Sequence, residues 1–277
     1  MKHFFDFDSV KCTAVAFGFF DAMHAGHRRI IEKLSEYENS AVISFYNYDK
    51  SFVYTETEKE IILSEYGIAS MISVNAREYE SLNLQGFVHD CIAGKLGVKT
   101  IIVGENSKDI EIIEKACIAD GIELVKVPVV KDGENIVSTD LVVSAMHNDM
   151  NMALKLINCN YVVHGNVIHG KGQGSRHDMP TANIAFDKNR ILPVYGVYGA
   201  KVTIDGNVYR GITNIGTRPT VDDDPAPTCE TLVLDFDGNL YNKQITLELY
   251  VYIRQIVKFS SFEELKKQIE KDISSLV

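Results

Sequence analysis

Two short segments of the sequence have the residue types and spacing to bind phosphate groups. The first is Gly165-Asn-Val-Ile-His-Gly170-Lys-Gly172-Gln-Gly174. Glycines at this density let the backbone turn tightly and bring its N–H groups against phosphate oxygens. Glycine-rich stretches are also common in ordinary loops, so this segment alone leaves both a nucleotide site and a plain loop open.

The second segment places two histidines at the start of a helix. It follows an apolar strand candidate and reads Gly18-Phe-Phe-Asp21-Ala-Met-His24-Ala-Gly26-His27. His24 and His27 are three residues apart, so they share a face in a helical turn. The positive end of the helix beside them favours phosphate. Two surface histidines at a helix start are the alternative interpretation.

The first half of the chain supplies the elements that position this histidine segment. From Thr13 to about Val130, short apolar runs alternate with amphipathic stretches, a pattern typical of βαβ units in a parallel sheet. Strands are predicted at 13–19, 41–46, 70–74, 99–103 and 122–127, and helices at 27–36, 57–66, 84–96 and 108–120. We therefore predict a Rossmann-like α/β domain over residues 1–158.

The second half has a different periodicity. After residue 138 come helical stretches that end near Leu156 and Ile157, followed by short β-rich runs. Strands are predicted at 162–169, 197–204, 207–214, 230–236 and 244–253, with hairpin turns at Asp205-Gly206-Asn207 and Asp237-Gly238-Asn239. An amphipathic helix at about 261–274 closes the chain. We predict an antiparallel β-barrel with a terminal helix over residues 159–277.

Composition and charge argue against several classes of protein. The 277 residues carry a net charge of −10, which argues against a nucleic-acid partner. The five cysteines are scattered without metal-like spacing, so we expect reduced thiols. The start lacks a signal-peptide core, and no apolar run approaches the roughly 18 residues of a membrane helix. We expect a cytoplasmic protein without a membrane partner, and its oligomeric state does not follow from the sequence.

The motifs of the second half occur in a characteristic order. In chain order they are the glycine-rich segment, Pro180-Thr181-Ala182-Asn183, Gly196-Val197-Tyr198, the run from Gly211 to Thr220 that contains Arg218, Glu230 before Leu234-Asp235-Phe236, and Arg254 with Lys258-Phe259. In this order they resemble the riboflavin kinase module of the bacterial bifunctional riboflavin kinase/FMN adenylyltransferases, also called FAD synthetases.

The resemblance implies a role for each polar group. Thr181 and Asn183 would supply oxygen ligands to a magnesium ion shared with the ATP phosphates. Glu230 would be the general base that accepts the proton of the ribityl terminal hydroxyl. Arg218 and Arg254 stay open between contact with nucleotide or flavin and structural pairing with Asp235 or Asp237. The further nucleotide-binding residues implied are Gly165, Gly170, Gly172, Gly174 and Pro180.

The histidine segment, on a first Rossmann strand and ahead of such a module, resembles the adenylyltransferase half of the same family. The resemblance implies that His24 and His27 stabilise charge on the ATP phosphates during attack on the α-phosphorus. The further nucleotide-binding residues implied in this half are Gly18, Phe19, Asp21, Gly26, Ser138 and Thr139.

Three segments depart from the pattern of that adenylyltransferase half. The Pro-His-Pro segment is replaced by 45–49, with sequence Phe-Tyr-Asn-Tyr-Asp, and the flavin segment by 105–109, with sequence Glu-Asn-Ser-Lys-Asp. The arginine of the phosphate motif is replaced by Val142. Valine cannot supply the two-pronged hydrogen bonding of a guanidinium to phosphate. We therefore expect FMN adenylyltransferase activity to be weak or lost.

The sequence favours a riboflavin kinase that uses ATP and Mg²⁺ within the architecture of a FAD synthetase. One alternative is a fully bifunctional enzyme that makes FMN and then FAD. An alternative of another class is a flavin- or nucleotide-binding regulatory protein that turns over little. The presence of Thr181, Asn183 and Glu230 argues against that class, because a sensor needs neither a metal site nor a base.

Overall fold

The computed structural model describes residues 1–79, 83–168, 181–217 and 227–276. The chain divides into two compact units, Met1–Val142 and Val143–Val277. Five predicted site residues lie outside the described residues: Gly170, Gly172, Gly174, Pro180 and Arg218. In the described ranges, no helix has both the length and the apolar character to cross a membrane.

The first unit is built on a six-stranded parallel sheet. Its strands are β1 (Lys2–Phe4), β2 (Ala14–Gly18), β3 (Ser40–Tyr46), β4 (Ser70–Asn75), β5 (Thr100–Gly104) and β6 (Glu123–Val127). They are ordered β1-β4-β3-β2-β5-β6, and every pair is parallel. After β2, the chain adds β3 and β4 on one side of that strand and then β5 and β6 on its other side. The switch point between β2 and β5 is where open α/β sheets bind ligands.

Helices connect these strands as the sequence pattern predicts. They are α1 (Ala25–Ser35), α2 (Glu56–Ser64), α3 (Leu84–Gly86, continued by a π-helix Phe87–Leu96) and α4 (Ile110–Asp120). A small hairpin, β7 (Lys131–Asp132) with β8 (Asn135–Ile136), follows β6. The Rossmann-like α/β fold predicted for the first half is confirmed.

The second unit is built on a six-stranded antiparallel sheet. After α5 (Thr139–Asn148) and α6 (Met150–Ile157) come β9 (Tyr161–Asn166), β10 (Thr181–Ala185), β11 (Gly196–Ile204), β12 (Asn207–Thr217), β13 (Pro227–Val233) and β14 (Gln244–Arg254). The terminal helix is α7 (Phe262–Ser274). The predicted domain boundary, between residues 158 and 159, lies between α6 and β9, whereas the division into compact units falls between Val142 and Val143, inside α5.

This second sheet curls on itself. Its strands are ordered β10-β13-β12-β11-β14-β9. The two edge strands approach each other at a bridge in which the Ile168 N–H donates to the Asn183 carbonyl at 2.8 Å. A small apolar cluster that includes Val197, Ile212 and Leu276 covers part of the sheet beside α7. The predicted antiparallel barrel with a terminal helix is confirmed as a curled half-barrel.

Of the two predicted hairpin turns, one is confirmed and one is wrong. Asp205 and Gly206 connect β11 to β12 with φ values of 49° and 81°, as a tight two-residue hairpin turn requires. Asp237-Gly238-Asn239 lies between β13 and β14, which are not neighbours in the sheet. Which strands β13 and β14 pair with depends on how the whole sheet closes. The local turn residues do not specify that closure.

Candidate functional site

The loop from β2 to α1 is strained and ends at His24. Phe20, Ala22 and Met23 have positive φ values of 47°, 59° and 43°, and a non-glycine residue held in this region costs on the order of 1–3 kcal/mol. The turn brings His24 to the N-cap of α1, where its Nδ1 accepts the N–H of Gly26 at 3.1 Å. Because Nδ1 is an acceptor, the proton of the neutral ring is on Nε2.

Contacts from other segments hold this loop in place. Nζ of the buried Lys59 donates to the Phe19 carbonyl at 2.6 Å and to Oε1 of Glu56 at 2.7 Å. Oδ1 of Asp21 accepts the Val53 N–H at 2.8 Å. Phe19 and Asp21, both predicted to bind nucleotide, therefore contribute to the shape of the loop.

The two histidines form a stacked pair that is neutral at pH 7. Their ring centroids are 3.7 Å apart, with an interplanar angle of 21°. Burial lowers the pKa of His24 to about 4. Burial also lowers the pKa of His27 well below its usual value, and the nearby charge of Lys59 acts in the same direction. His24 can therefore donate a hydrogen bond to phosphate through Nε2, whereas His27 already hydrogen-bonds the Asp21 backbone, and neither ring brings a positive charge of its own.

A cavity of about 290 Å³ opens at the switch point of the parallel sheet. It is lined by five of the predicted residues, which are Gly18, His24, Gly26, His27 and Ser138. A Cβ on Gly26 would lie 3.0 Å from the His24 ring, so a side chain there would displace the imidazole. None of the described residues that line the cavity is a lysine or an arginine.

The predicted phosphate motif lies at the start of α5. Oγ of Ser138 accepts the Leu141 N–H at 3.3 Å, and Oγ1 of Thr139 donates to the Asp21 carbonyl at 3.3 Å. Val142 has no exposed surface. The position at which the resemblance leads one to expect an arginine is therefore part of the apolar interior.

In the second unit, Glu230 is part of a row of residues that crosses the sheet. Directly opposite Glu230 are Asn183 on β10 and Asn214 on β12. The row continues through Val197 on β11 to Arg254 on β14. Directly opposite residues on antiparallel strands point to the same side of a sheet. The five side chains therefore share one face.

This face is the outer face of the half-barrel. Thr213 and Thr231, which alternate with the row, are fully buried, and their hydroxyl oxygens are 2.9 Å apart. Thr181 lies two residues before Asn183 on β10 and so shares the outer face. Its Oγ1 donates to Oε1 of Glu230 at 2.6 Å. The structure thus brings together the three residues that the resemblance singled out for metal binding and catalysis.

Gly165 belongs to strand β9, inside the strand predicted at 162–169. It pairs with Ile245 on β14. A Cβ at this position would lie 2.7 Å from Cγ2 of Ile184 on β10. Glycine here permits the close approach of β9 and β10 where the sheet curls.

Arg254 forms an ion pair with the terminal helix. Its Nε lies 3.0 Å from Oδ1 of Asp272 and its Nη2 lies 2.8 Å from Oδ2, while the guanidinium lies 5.8 Å from the Phe259 ring centroid. The sequence left two interpretations of Arg254 open, contact with a ligand and structural pairing with an aspartate. The structure shows pairing with an aspartate. The partner is Asp272, and neither Asp235 nor Asp237.

Asn214 is the polar residue of this face that sequence reasoning missed. It lies inside the run Gly211–Thr220, where nothing in the local sequence separates it from a structural asparagine. Only the strand register places it directly opposite Glu230.

Comparison with known proteins assigns both halves of the chain. The FAD synthetase family model matches residues 7–141, and the riboflavin kinase family model matches residues 157–276. An α/β nucleotidyltransferase-type domain followed by a riboflavin kinase β domain defines a two-domain enzyme of flavin nucleotide synthesis. The chain belongs to the bifunctional riboflavin kinase/FMN adenylyltransferase family.

Individual relatives are similar to this protein over nearly the whole length of its chain. The bifunctional riboflavin kinase/FMN adenylyltransferase of Pseudomonas fluorescens is 29% identical over 287 residues, covering 95% of this chain and 91% of that protein. The protein of the same description from Bacillus subtilis is 28% identical, covering 94% of this chain and 90% of that protein. A solved structure described as a macrolide-efflux protein from Streptococcus pneumoniae has the same fold. Its TM-score is 0.78 at 22% identity, covering 98% of this chain and 97% of the other.

Proposed function

We propose that the second unit is a riboflavin kinase that transfers the γ-phosphate of ATP to the terminal ribityl hydroxyl of riboflavin to give FMN. The observation that carries this proposal is the hydrogen bond from Thr181 to Glu230, with Asn183 opposite the same carboxylate. Phosphoryl transfer depends mainly on positioning and on neutralisation of charge around the phosphate. A carboxylate base and two oxygen-bearing side chains on the same face of one sheet suit that requirement.

Glu230 is the proposed general base. One of its carboxylate oxygens, Oε1, accepts the hydrogen bond from Thr181, which orients the group. The other oxygen accepts the proton of the ribityl hydroxyl as that hydroxyl attacks the γ-phosphorus. The bond from the γ-phosphorus to the ADP oxygen breaks, so the products are FMN, ADP and a protonated Glu230 that releases its proton to solvent.

Thr181 and Asn183 fit a magnesium ion carried in with ATP. Both present neutral oxygen donors on the outer face, and Asn183 is only 2% exposed. Mg²⁺ usually keeps few protein ligands and completes its shell with phosphate oxygens and water. When bound, it would neutralise charge on the ATP phosphates. The proposed substrates are riboflavin and ATP, with no nucleic acid or membrane partner.

We infer that the first unit binds ATP and forms FAD from FMN slowly or not at all. Its cavity lies at the switch point and contains the histidine pair, which supports nucleotide binding. Adenylyl transfer also requires stabilisation of the departing pyrophosphate. The described lining offers neutral histidines and no lysine or arginine, and Val142 occupies the arginine position.

Of the two alternative functions, one has separate support and the other does not. A fully bifunctional enzyme is favoured by the FAD synthetase match over 7–141 and by the presence of His24 and His27 in the cavity. A regulatory flavin-binding protein would need ligand binding without turnover. The cluster of Thr181, Asn183 and Glu230 argues against it.

Product analysis separates the three functions. The protein is incubated with riboflavin, ATP and Mg²⁺, and riboflavin, FMN and FAD are separated by chromatography. Accumulation of FMN with little FAD is the expected result. Comparable formation of FAD would favour the bifunctional alternative, and binding of riboflavin without any FMN would favour the regulatory one.

A further inference from the structure

In the row of residues on the outer face, Glu230 has different neighbours on its two sides. On one side, β10 carries Thr181 and Asn183, the proposed ligands of the ATP-bound metal. On the other side, β12 carries Asn214 directly opposite Glu230. The Cβ atoms of such opposed residues are roughly 4.5–5.5 Å apart. The Asn214 amide therefore reaches the same space that the Glu230 carboxylate faces.

The geometry of phosphoryl transfer assigns these two sides to different substrates. The attacking oxygen and the leaving ADP oxygen lie roughly in line on opposite sides of the transferred phosphorus. Because β10 carries the proposed metal and ATP ligands, the attacking hydroxyl approaches from the side of β12. Glu230, on the strand between them, is placed to take the proton of that hydroxyl.

The Asn214 amide is available to a ligand. The residue is half-buried, and within the described ranges its side chain has no hydrogen-bond partner. A half-buried polar group that lacks a partner has given up part of its hydration without compensation. An amide both donates and accepts hydrogen bonds. It therefore matches a chain of hydroxyl groups, each of which also donates and accepts.

We infer that Asn214 is a substrate-binding residue that hydrogen-bonds the ribityl chain of riboflavin on the β12 side of Glu230. This inference rests on the proposed kinase function of the same site. It assigns Asn214 to the acceptor substrate, whereas Thr181 and Asn183 are assigned to the metal and ATP.

The test compares two flavins that differ in the ribityl chain. Riboflavin carries the chain, and lumiflavin has a methyl group in its place. In the full-length protein, Asn214→Ala should raise the KM and the Kd for riboflavin about three- to tenfold, the range expected for one lost hydrogen bond. The inhibition constant of lumiflavin and the KM for MgATP should stay unchanged.

Two further variants control for damage to the fold. Asn214→Thr keeps a hydroxyl that donates and accepts on a strand-compatible side chain, so its loss of riboflavin affinity should be smaller than that of Asn214→Ala. Asn207→Ala, at the exposed start of the same strand, should match the parent. All variants are compared by thermal unfolding.

Three results would overturn the inference. One is unchanged riboflavin affinity in Asn214→Ala, and another is an equal loss for riboflavin and lumiflavin, which would indicate a reshaped surface. The third is a weakened MgATP affinity alone, which would move Asn214 to the nucleotide side. Absence of riboflavin phosphorylation by the parent protein would instead defeat the proposed function, and this inference with it.

Discussion

Oγ1 of Thr181 donates a hydrogen bond of 2.6 Å to Oε1 of Glu230, and this contact joins β10 to β13 across the outer face of the second sheet. A hydroxyl has one donor proton and two acceptor lone pairs. Thr181 can therefore orient the carboxylate with its proton and still present oxygen to a cation. One side chain links the proposed base to the proposed metal site.

Replacement of this hydroxyl should therefore affect metal use and catalysis together. Thr181→Val should raise the Mg²⁺ concentration needed for half-maximal FMN formation and also lower kcat, because it removes a hard oxygen ligand and the hydrogen bond to Glu230. Asn183→Ala should raise the Mg²⁺ requirement as well. Thr181→Ser keeps the hydroxyl and should stay close to the parent. Magnesium titrations that overlay for Thr181→Val and the parent would show that the proposed metal site is misplaced.

The ion pair between Arg254 and Asp272 should contribute to the stability of the second unit. Arg254→Met leaves the carboxylate of Asp272, which is 2% exposed, without its bidentate partner. We expect a loss of about 1–3 kcal/mol in unfolding free energy, measured by calorimetry. The double variant Arg254→Met, Asp272→Leu removes the orphaned charge and should regain part of the loss. A single variant as stable as the parent would contradict this account of the pair.

His24 should make the first unit sensitive to mild acid. Burial lowers its pKa to about 4 from the usual 6.5, so between these pH values the unfolded chain binds a proton that the folded chain does not. Stability is therefore full above about pH 6.5 and falls as the pH drops toward 4, by up to about 3 kcal/mol from this group.

His24→Asn provides the check on this pH dependence. Asparagine can still cap α1 and does not titrate, so the variant should lose less stability than the parent across this range. Identical slopes for the parent and His24→Asn would remove His24 as the source.

Val142→Arg should destabilise the first unit without restoring efficient FAD synthesis. The valine has no exposed surface, and burial of an unpaired guanidinium costs several kcal/mol. The unfolding transition of the variant should move to lower temperature, whereas Val142→Ile should stay near the parent. Full FAD synthesis in a stable Val142→Arg protein would show that this position reaches the nucleotide.

The sequence predicted the elements of the first unit well, because periodicity is a local property. Apolar runs and helical spacing located β2 to β6 and their helices. The strain at Phe20, Ala22 and Met23 was not predictable. It depends on contacts such as that from Lys59, 40 residues further along the chain from Phe19.

In the second unit, the resemblance singled out candidate site residues. It did not predict which residues lie beside them in the sheet. Glu230 was singled out as a residue, but its place opposite Asn183 and Asn214 depends on a register between strands far apart in the sequence. The same limit explains the wrong hairpin at Asp237-Gly238. It also explains why Asp272 was not considered as the partner of Arg254, since α7 contributes it from beyond the last strand.

The central claim is that the second unit phosphorylates riboflavin with Glu230 as its base. The most direct test measures initial rates of FMN formation from riboflavin, and of FAD formation from supplied FMN, for the parent and for Glu230→Gln. Glutamine keeps the shape of the side chain and cannot accept the proton. FMN formation should therefore fall by on the order of 10²–10⁴, while ATP binding stays nearly intact. The slow FAD formation by the other unit should be the same in both proteins, and Glu263→Gln, at an exposed position on α7, should match the parent in both rates. Unchanged FMN formation in Glu230→Gln, or FAD formation by the parent at a rate comparable to its FMN formation, would contradict the account.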